Sequence, residues 1–402
     1  MKKIIANLKY LKFKDIFSPI IFIAAFICSL FFRLINLIKK RNLWLICEGK
    51  VEARDNGYHF FKYVRENHPK EYCFYVIDKD SEGYKKVKKY GNIIQYHSFK
   101  HWVYYLSAQY NISSQKAANP NQILFYVIHV VFGWYKNRVF LQHGITKDDA
   151  EWLYYKNTKF RYFICGAKQE YEFIKERFGY PKGNVVYTGF PRFDNLYNNN
   201  INLKQILIMP TWRNWLGRDT NGLTKGEKFT NTAFYNNWNG LLNNKEFIKF
   251  IESNNLKVLF YPHVNMQKYL NDFNISSKNI ELANTSVDIQ TVLKESAIMI
   301  TDYSSVYMDF AYMLKPIIFF QFDYEEYRKK QYAQGYFDYK AEKFGRSIET
   351  VEEVIKEFKK IYKNGIEDNK LKEMKDFFEL KDQNNCKRIY EILKRKENHH
   401  EK

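Results

Sequence analysis

Short unbroken apolar runs alternate along this chain with stretches whose apolar residues return every three or four positions. Residues 43–47, 74–77, 139–141, 184–187, 205–209, 257–260, 297–300 and 317–320 are runs of the first kind and predict buried strands. Residues 58–65 and 168–178 are of the second kind and predict helices, as does the spacing of Val306, Phe310 and Met313. Strand and helix in turn predict an α/β chain with doubly wound parallel sheets. Residues 296–327 give the clearest unit: an apolar run, a polar turn at Thr301 to Ser305, a helix stopped by Lys315-Pro316, and a second run that delivers Asp323 beyond its end.

The two ends read differently. Residues 16–32 carry no charge and are broken only by Ser18, Pro19 and Ser29, with Lys2, Lys3, Lys9, Lys12 and Lys14 before them and Arg33, Lys39, Lys40 and Arg41 after. That run is shorter than the roughly 20 residues of a typical span, and no small-x-small cleavage site follows it. Residues 1–41 are therefore expected to lie in the cytoplasmic leaflet with their lysines on anionic head groups, a single span being second. Asn198-Asn199-Asn200 marks the expected boundary between a first unit, 42–196, and a second, 197–345; residues 346–402 read as a charged helical tail with Val354, Phe358 and Tyr362 on one face. Residues 214–240, rich in Asn, Gly, Thr and Trp, read as a long loop over the site.

Composition narrows the partners. In 402 residues, 64 Lys and Arg against 44 Asp and Glu leave a formal charge of +20, which suits a polyanion. The five cysteines have no metal-ligand spacing and their odd number argues against a closed disulfide framework. No Gly-x-Gly-x-x-Gly or Walker lysine motif is present, so dinucleotide and P-loop readings lose their support.

Candidate chemistry sits where strands end. His143, before Gly144, follows the run 139–141; Arg213 follows 205–209; His263 follows 257–260. Ligand sites in open α/β sheets lie beyond the carboxyl ends of the strands. Ser304 and Ser305 stand where a helix is expected to begin, and free N–H groups with two hydroxyls suit a phosphate there, although Asp302 or Ser304 as a simple cap is the commoner use. Residues 52–57 join the first strand to its helix, with Asp55 or Asn56 placed to cap and Gly57 to allow close approach, a pattern that suits a capped turn and a cleft loop equally. His59, His68, His97, His101 and His129 lack paired spacing and read as surface or helix residues, and His399 and His400 lie in a polar tail.

Thr301-Asp302-Tyr303-Ser304-Ser305, then Met308-Asp309-Phe310, Lys315-Pro316-Ile317 and Asp323-Tyr324-Glu325-Glu326-Tyr327, resembles the signature of the CDP-glycerol glycerophosphotransferase family, the teichoic acid glycerol and ribitol phosphotransferases. Residues 44–58, Gln142-His143-Gly144, Gly189 to Asp194, Pro210 to Arg213 and Tyr261-Pro262-His263 resemble the same family in the same order. The resemblance implies a GT-B-like fold, two Rossmann-like domains facing a cleft, with the last helix returning to the first. It implies transfer of glycerol phosphate from CDP-glycerol to an undecaprenyl-type lipid-linked acceptor or growing chain, with release of CMP, at the cytoplasmic face of the membrane. His143 and His263 would be catalytic; Arg192, Arg213, Thr301, Asp302, Ser304, Ser305, Asp309 and Asp323 would hold substrate. Gln142 departs from the family's usual Trp. No cofactor is implied with certainty and a divalent cation is left open; Asp78-Lys79-Asp80, similar to the Asp-x-Asp of other glycosyltransferases, is expected by chance in so lysine-rich a chain. Ribitol phosphate transfer and a nucleotide-sugar glycosyltransferase of the same fold are the alternatives. A non-enzymatic polyanion or nucleic-acid binder is disfavoured because the motifs fall at strand ends rather than along one basic helix, so no nucleic acid is expected.

Overall fold

The computed structural model describes residues 18–397 apart from 117, 122–123, 126–127, 129–136, 198–200, 217–227 and 285–286. The sequence readings on the lysines of residues 1–15, on His129, on Asn198 to Asn200 and on His399 and His400 lie outside the described residues.

Thirteen strands form two all-parallel sheets among the described residues. The first holds β1 Trp44–Ile46, β2 Cys73–Ile77, β3 Ile93–Gln95, β4 Tyr110–Ser113, β5 Arg138–Phe140, β6 Tyr162–Cys165 and β7 Val185–Tyr187, in the order β3-β2-β1-β4-β5-β6-β7. The second holds β8 Asn202–Met209, β9 Lys257–Phe260, β10 Ile280–Leu282, β11 Ser296–Thr301, β12 Ile317–Phe320 and β13 Ser347–Ile348, in the order β10-β9-β8-β11-β12-β13. Parallel strands covered on both faces need apolar residues at every position, and β1 and β12 are buried throughout. Each order reverses once, at β1/β4 and at β8/β11, and a crevice opens at such a point beyond the strand ends.

The reading of residues 214–240 as loop needs correcting from residue 233 onward, and its part over 217–227 lies outside the described residues. Ala233–Leu242 is a helix capped by the Thr232 hydroxyl, which accepts from Tyr235 N, and it buries Phe234, Trp238, Leu241 and Leu242 on one face. That helical spacing was hidden among asparagines. His59 and His101 lie on helices but are buried rather than superficial, and burial pushes both imidazoles down to about 3. Asp78 is a turn residue bonded to Lys50 and Gln95.

Helix Asn385–Glu397 leaves the second unit and packs on the first. Asp194 accepts from Asn385 N and Cys386 N at 3.0 and 2.9 Å, Tyr390 stacks on His68 at 3.7 Å, and its hydroxyl donates to Glu71 at 2.7 Å. Further ties between the units are Phe193 stacked on Tyr312 at 4.2 Å and the ion pair of Asp148 with Arg328 at 2.6 Å.

The apolar N-terminal run is a 21-residue helix, Ser18–Ile38, longer than its charge-free core because Arg33 is included. Ser18, Ala25, Ser29 and Asn36 are buried; the helix packs on helix Phe99–Ser107, where Ser107 Oγ donates to the Ser29 carbonyl, and Ser18 Oγ accepts from Asn121 Nδ2 at 3.1 Å. The Arg33 guanidinium donates to the Leu106 carbonyl, and Phe32 lies 4.8 Å from Tyr104. The opposite face exposes Ile20, Ile23, Ile27, Leu30, Phe31, Leu34, Ile35, Leu37 and Ile38.

Candidate active site

The cleft is built at the two switch points. From the first sheet, the loop after β1 brings Asp55, the turn after β5 brings His143, and the short 3₁₀ turn Pro191–Asn195 after β7 brings Arg192. The loops after β8, β9 and β11 of the second sheet bring Thr211, His263 and Ser304-Ser305. Two cavities of about 250 and 270 Å³ meet here, and His143 and His263 line both. Ser304, Ser305, Thr211, Trp212 and Gln142 line the first; Arg192, Asp55, Asp309 and Tyr261 line the second. Two imidazoles from separate units therefore share one space, as their positions after strands implied.

His143 is presented by a backbone held from below. Gln142 adopts a left-handed φ of +61°, a conformation that costs a non-glycine residue about 1 kcal/mol or more and persists only where the surroundings over-determine it. The surroundings do so: Gln142 Nε2 donates to Glu170 Oε1 and to the Ile164 carbonyl at 2.9 and 2.6 Å, and Asn56 Nδ2 donates to the Gln142 carbonyl at 2.8 Å. Glu170 is fully buried, accepts also from Thr146 N and Gly166 N, and burial pushes its carboxyl up to about 7. Gln142, where the family resemblance led to Trp, thus anchors the turn as well as lining the wall. A Cβ on Gly144 would lie 2.7 Å from Ser305 Oγ, so glycine here lets the second unit's serine approach the histidine turn.

The His143 ring is two-thirds exposed toward the cleft while its Nδ1 bonds Asp55 Oδ2 at 2.6 Å. Asp55 caps helix Asn56–Asn67, as read from the sequence, and Oδ1 accepts from Asn56 N at 2.8 Å and from Arg192 Nη1 at 2.9 Å. Arg192 in turn grips Asp309 of the second unit through two bonds of 2.6 and 2.7 Å and donates to the His143 carbonyl at 2.9 Å. Burial alone would raise the Asp55 carboxyl, but His143 and Arg192 outweigh it and hold it at about 2. Asp55 in turn raises the His143 imidazole above its ordinary value, outweighing the partial desolvation that opposes it. Beneath this loop the buried Glu48 carboxylate accepts from Arg54 N, Asp55 N and Tyr58 N at 3.1, 3.1 and 2.6 Å, and Gly57 leaves room for its side chain.

His263 is set differently: its Nδ1 accepts from Asn265 N at 3.2 Å and its ring lies parallel to Trp212 at 6.2 Å. Ser304 and Ser305 face the first cavity, but the helix after them, Tyr307–Tyr312, is only six residues long and begins two positions later. The serines occupy a turn in which Val306 N donates to Ser304 Oγ, so their hydroxyls and the turn's N–H groups, rather than a long dipole, carry the polarity.

Arg213, Thr301 and Asp323 require correction as substrate contacts. The Arg213 guanidinium has no exposure; it bonds Asp323 at 2.6 and 3.0 Å and Asp302 at 2.9 Å, with the Tyr303 ring 4.9 Å away. Thr301 Oγ1 donates to the Met209 carbonyl at 2.6 Å, which ties β11 to β8. Asp302 accepts from Thr211 N at 2.8 Å and Tyr303 N at 2.6 Å and so fixes the loop behind the serines. These residues shape the wall and do not line either cavity. Asp309 and Arg192 line the second cavity, though each is engaged with the other. Asp55 was read within a capped turn or cleft loop without a partner, and Glu48 and Glu170 were not singled out; carboxylates directly after or between apolar runs were the available signal. Among the described residues no group of three His, Cys, Asp or Glu is arranged to hold a metal ion.

Two parallel α/β units that face one another across a cleft at their strand ends define a GT-B-like fold. The wall teichoic acid polymerase TagF, in a crystal soaked with CDPG, superposes with a TM-score of 0.64 at 14% identity, covering 93% of this chain and 98% of that one. The minor teichoic acid biosynthesis protein GgaB of Bacillus subtilis (strain 168) is 34% identical over 374 residues, 89% of this chain and 40% of GgaB. The teichoic acid poly(glycerol phosphate) polymerase of the same organism is 30% identical over 217 residues, 50% of this chain and 26% of its own length. The chain thus spans well under half the length of these two relatives. The model of the CDP-glycerol:poly(glycerophosphate) glycerophosphotransferase family matches residues 28–395, and the chain belongs to that family.

Proposed function

We propose that the chain transfers glycerol phosphate from CDP-glycerol to the terminal hydroxyl of an undecaprenyl-type lipid-linked acceptor or growing polyol-phosphate chain, with release of CMP. The observation that carries the reading is the opposite hydrogen bonding of the two imidazoles in one cleft. His143 Nδ1–H donates to Asp55, which leaves Nε2 as a proton acceptor facing the cleft; His263 Nδ1 accepts from a backbone N–H, which leaves Nε2–H as a donor.

His143 is then the general base. It takes the proton as the acceptor O–H bond breaks and an O–P bond forms at the β-phosphorus, while the bond from that phosphorus to the CMP oxygen breaks in line. His263 Nε2–H and the Ser304 and Ser305 hydroxyls hold the diphosphate oxygens as charge develops. Arg192, Asp302 and Asp309 keep these groups in register.

The exposed apolar face of helix Ser18–Ile38, beside a chain of charge +20, supports an anchor that lies in the cytoplasmic leaflet. Its other face is docked on helix Phe99–Ser107, so the helix and the first unit move together.

The test is CMP release from CDP-glycerol and CDP-ribitol by membranes carrying the protein, with a short lipid-linked disaccharide as acceptor and the product mass measured. Loss of roughly 10²–10⁴-fold is expected for His143→Ala. Near wild-type turnover in His143→Ala or His263→Ala removes that residue from the chemistry, and no CMP from either donor sinks the reading.

A further inference from the structure

We propose that Asp55 is the positioning residue of the catalytic base, fixing the tautomer of His143 and the pH at which it works. This deepens the phosphotransferase reading and rests on it for the role of the base.

The two oxygens of Asp55 have separate duties. Oδ1 is taken by Asn56 N and Arg192 Nη1, whereas Oδ2, at 2.6 Å from His143 Nδ1, is turned to the ring. The backbone that carries this carboxylate is itself pinned, because Asp55 N donates to the buried Glu48. On the other side, Asn56 Nδ2 holds the carbonyls of Leu141 and Gln142, and its Oδ1 accepts from Arg192 N at 3.1 Å. Carboxylate, imidazole and guanidinium are thus set by one asparagine and one buried glutamate, a degree of constraint that helix capping alone does not require.

Two consequences follow from elementary electrostatics. An anionic oxygen facing Nδ1 selects the Nδ1–H tautomer and leaves the Nε2 lone pair for the acceptor hydroxyl. It stabilises the imidazolium formed when that proton arrives. The charged groups facing the ring are Asp55 and Glu52 from the loop after β1 and Arg192 after β7, with Asp309 of the second unit beyond Arg192; Gln115 after β4 is neutral. Arg192 opposes the imidazolium, and Asp309 shares that guanidinium's charge. Asp55 is the nearest of the anions to the ring, and the net effect on His143 is upward.

Asp55→Asn tests this in the full chain. Asparagine keeps the shape and an oxygen for the helix cap, so the fold is preserved while the charge is removed. The imidazole ¹⁵N spectrum, with His143 assigned by its absence in His143→Gln, is expected to show the Nδ1–H tautomer in the wild type. In Asp55→Asn the titration of His143 is expected to fall by roughly one pH unit or more. In turnover, kcat is expected to drop roughly 10²-fold or more with the donor KM little changed, and the acid limb of the pH profile to move to lower pH. Asp55→Glu is expected to restore part of the titration shift. An unmoved titration overturns the proposal, and so does a loss of kcat accompanied by an unmoved acid limb. Because the spectroscopic titration needs no donor, its outcome stands apart from any failure to release CMP.

Discussion

Replacing Arg213 by methionine separates a wall residue from a ligand-binding one. The guanidinium is fully buried, bonds Asp323 twice and Asp302 once, and lies 4.9, 5.3 and 5.4 Å from the rings of Tyr303, Phe234 and Tyr327. Asp302 and Asp323 both lie against this one cation, and breaking a buried pair from one side leaves the other charge uncompensated, a cost of about 3–5 kcal/mol. For a unit of this size each kcal/mol moves the thermal midpoint by roughly 2–4 °C, so a fall on the order of 6–20 °C is expected in Arg213→Met. Calorimetry or circular dichroism reads it directly. The double variant with Asp323→Asn should recover on the order of 1 kcal/mol, because one of the two orphaned carboxylates is then gone. A variant with an unchanged midpoint and a raised donor KM would place Arg213 on the ligand and refute the reasoning.

Two further outcomes are expected. Gly144→Ala puts a Cβ within 2.7 Å of Ser305 Oγ and 3.1 Å of its Cβ, at a backbone φ that alanine tolerates; stability should fall by only about 1–3 kcal/mol while turnover drops roughly 10²-fold through misplacement of the histidine turn. Full turnover would show that this approach across the cleft is dispensable. Changing exposed Ile23, Ile27, Leu30 and Leu34 together to asparagine should weaken binding to anionic vesicles by at least roughly 100-fold while leaving the stability within about 1 kcal/mol of the wild type. Unaltered vesicle partitioning would exclude this face as the membrane contact.

The long strands were legible because a strand covered on both faces must be apolar throughout, and 205–209, 297–300 and 317–320 are close to that pattern. Ile93–Gln95, Tyr110–Ser113, Tyr162–Cys165, Ile280–Leu282 and Ser347–Ile348 were not named, since runs of two to four residues carry little period of their own. The places of His143, His263, Ser304 and Ser305 after strands were readable from the apolar runs, whereas their expected roles came from the family resemblance. The meaning of Asp55 was not, because its partners lie 88 and 137 residues away and only the fold assembles them. Arg213 shows the converse. Position past a strand end is visible in sequence, but the direction of a side chain is not, and this one turns inward onto two carboxylates.

The Arg192 clamp on Asp309 bears on how far the two units can part. Prying the halves apart would strip a bidentate, dehydrated charge pair and bare both ends to solvent, a heavy toll to levy at every turnover. The cleft is accordingly braced by this pair, and whatever binds there has to enter and leave without the two units parting.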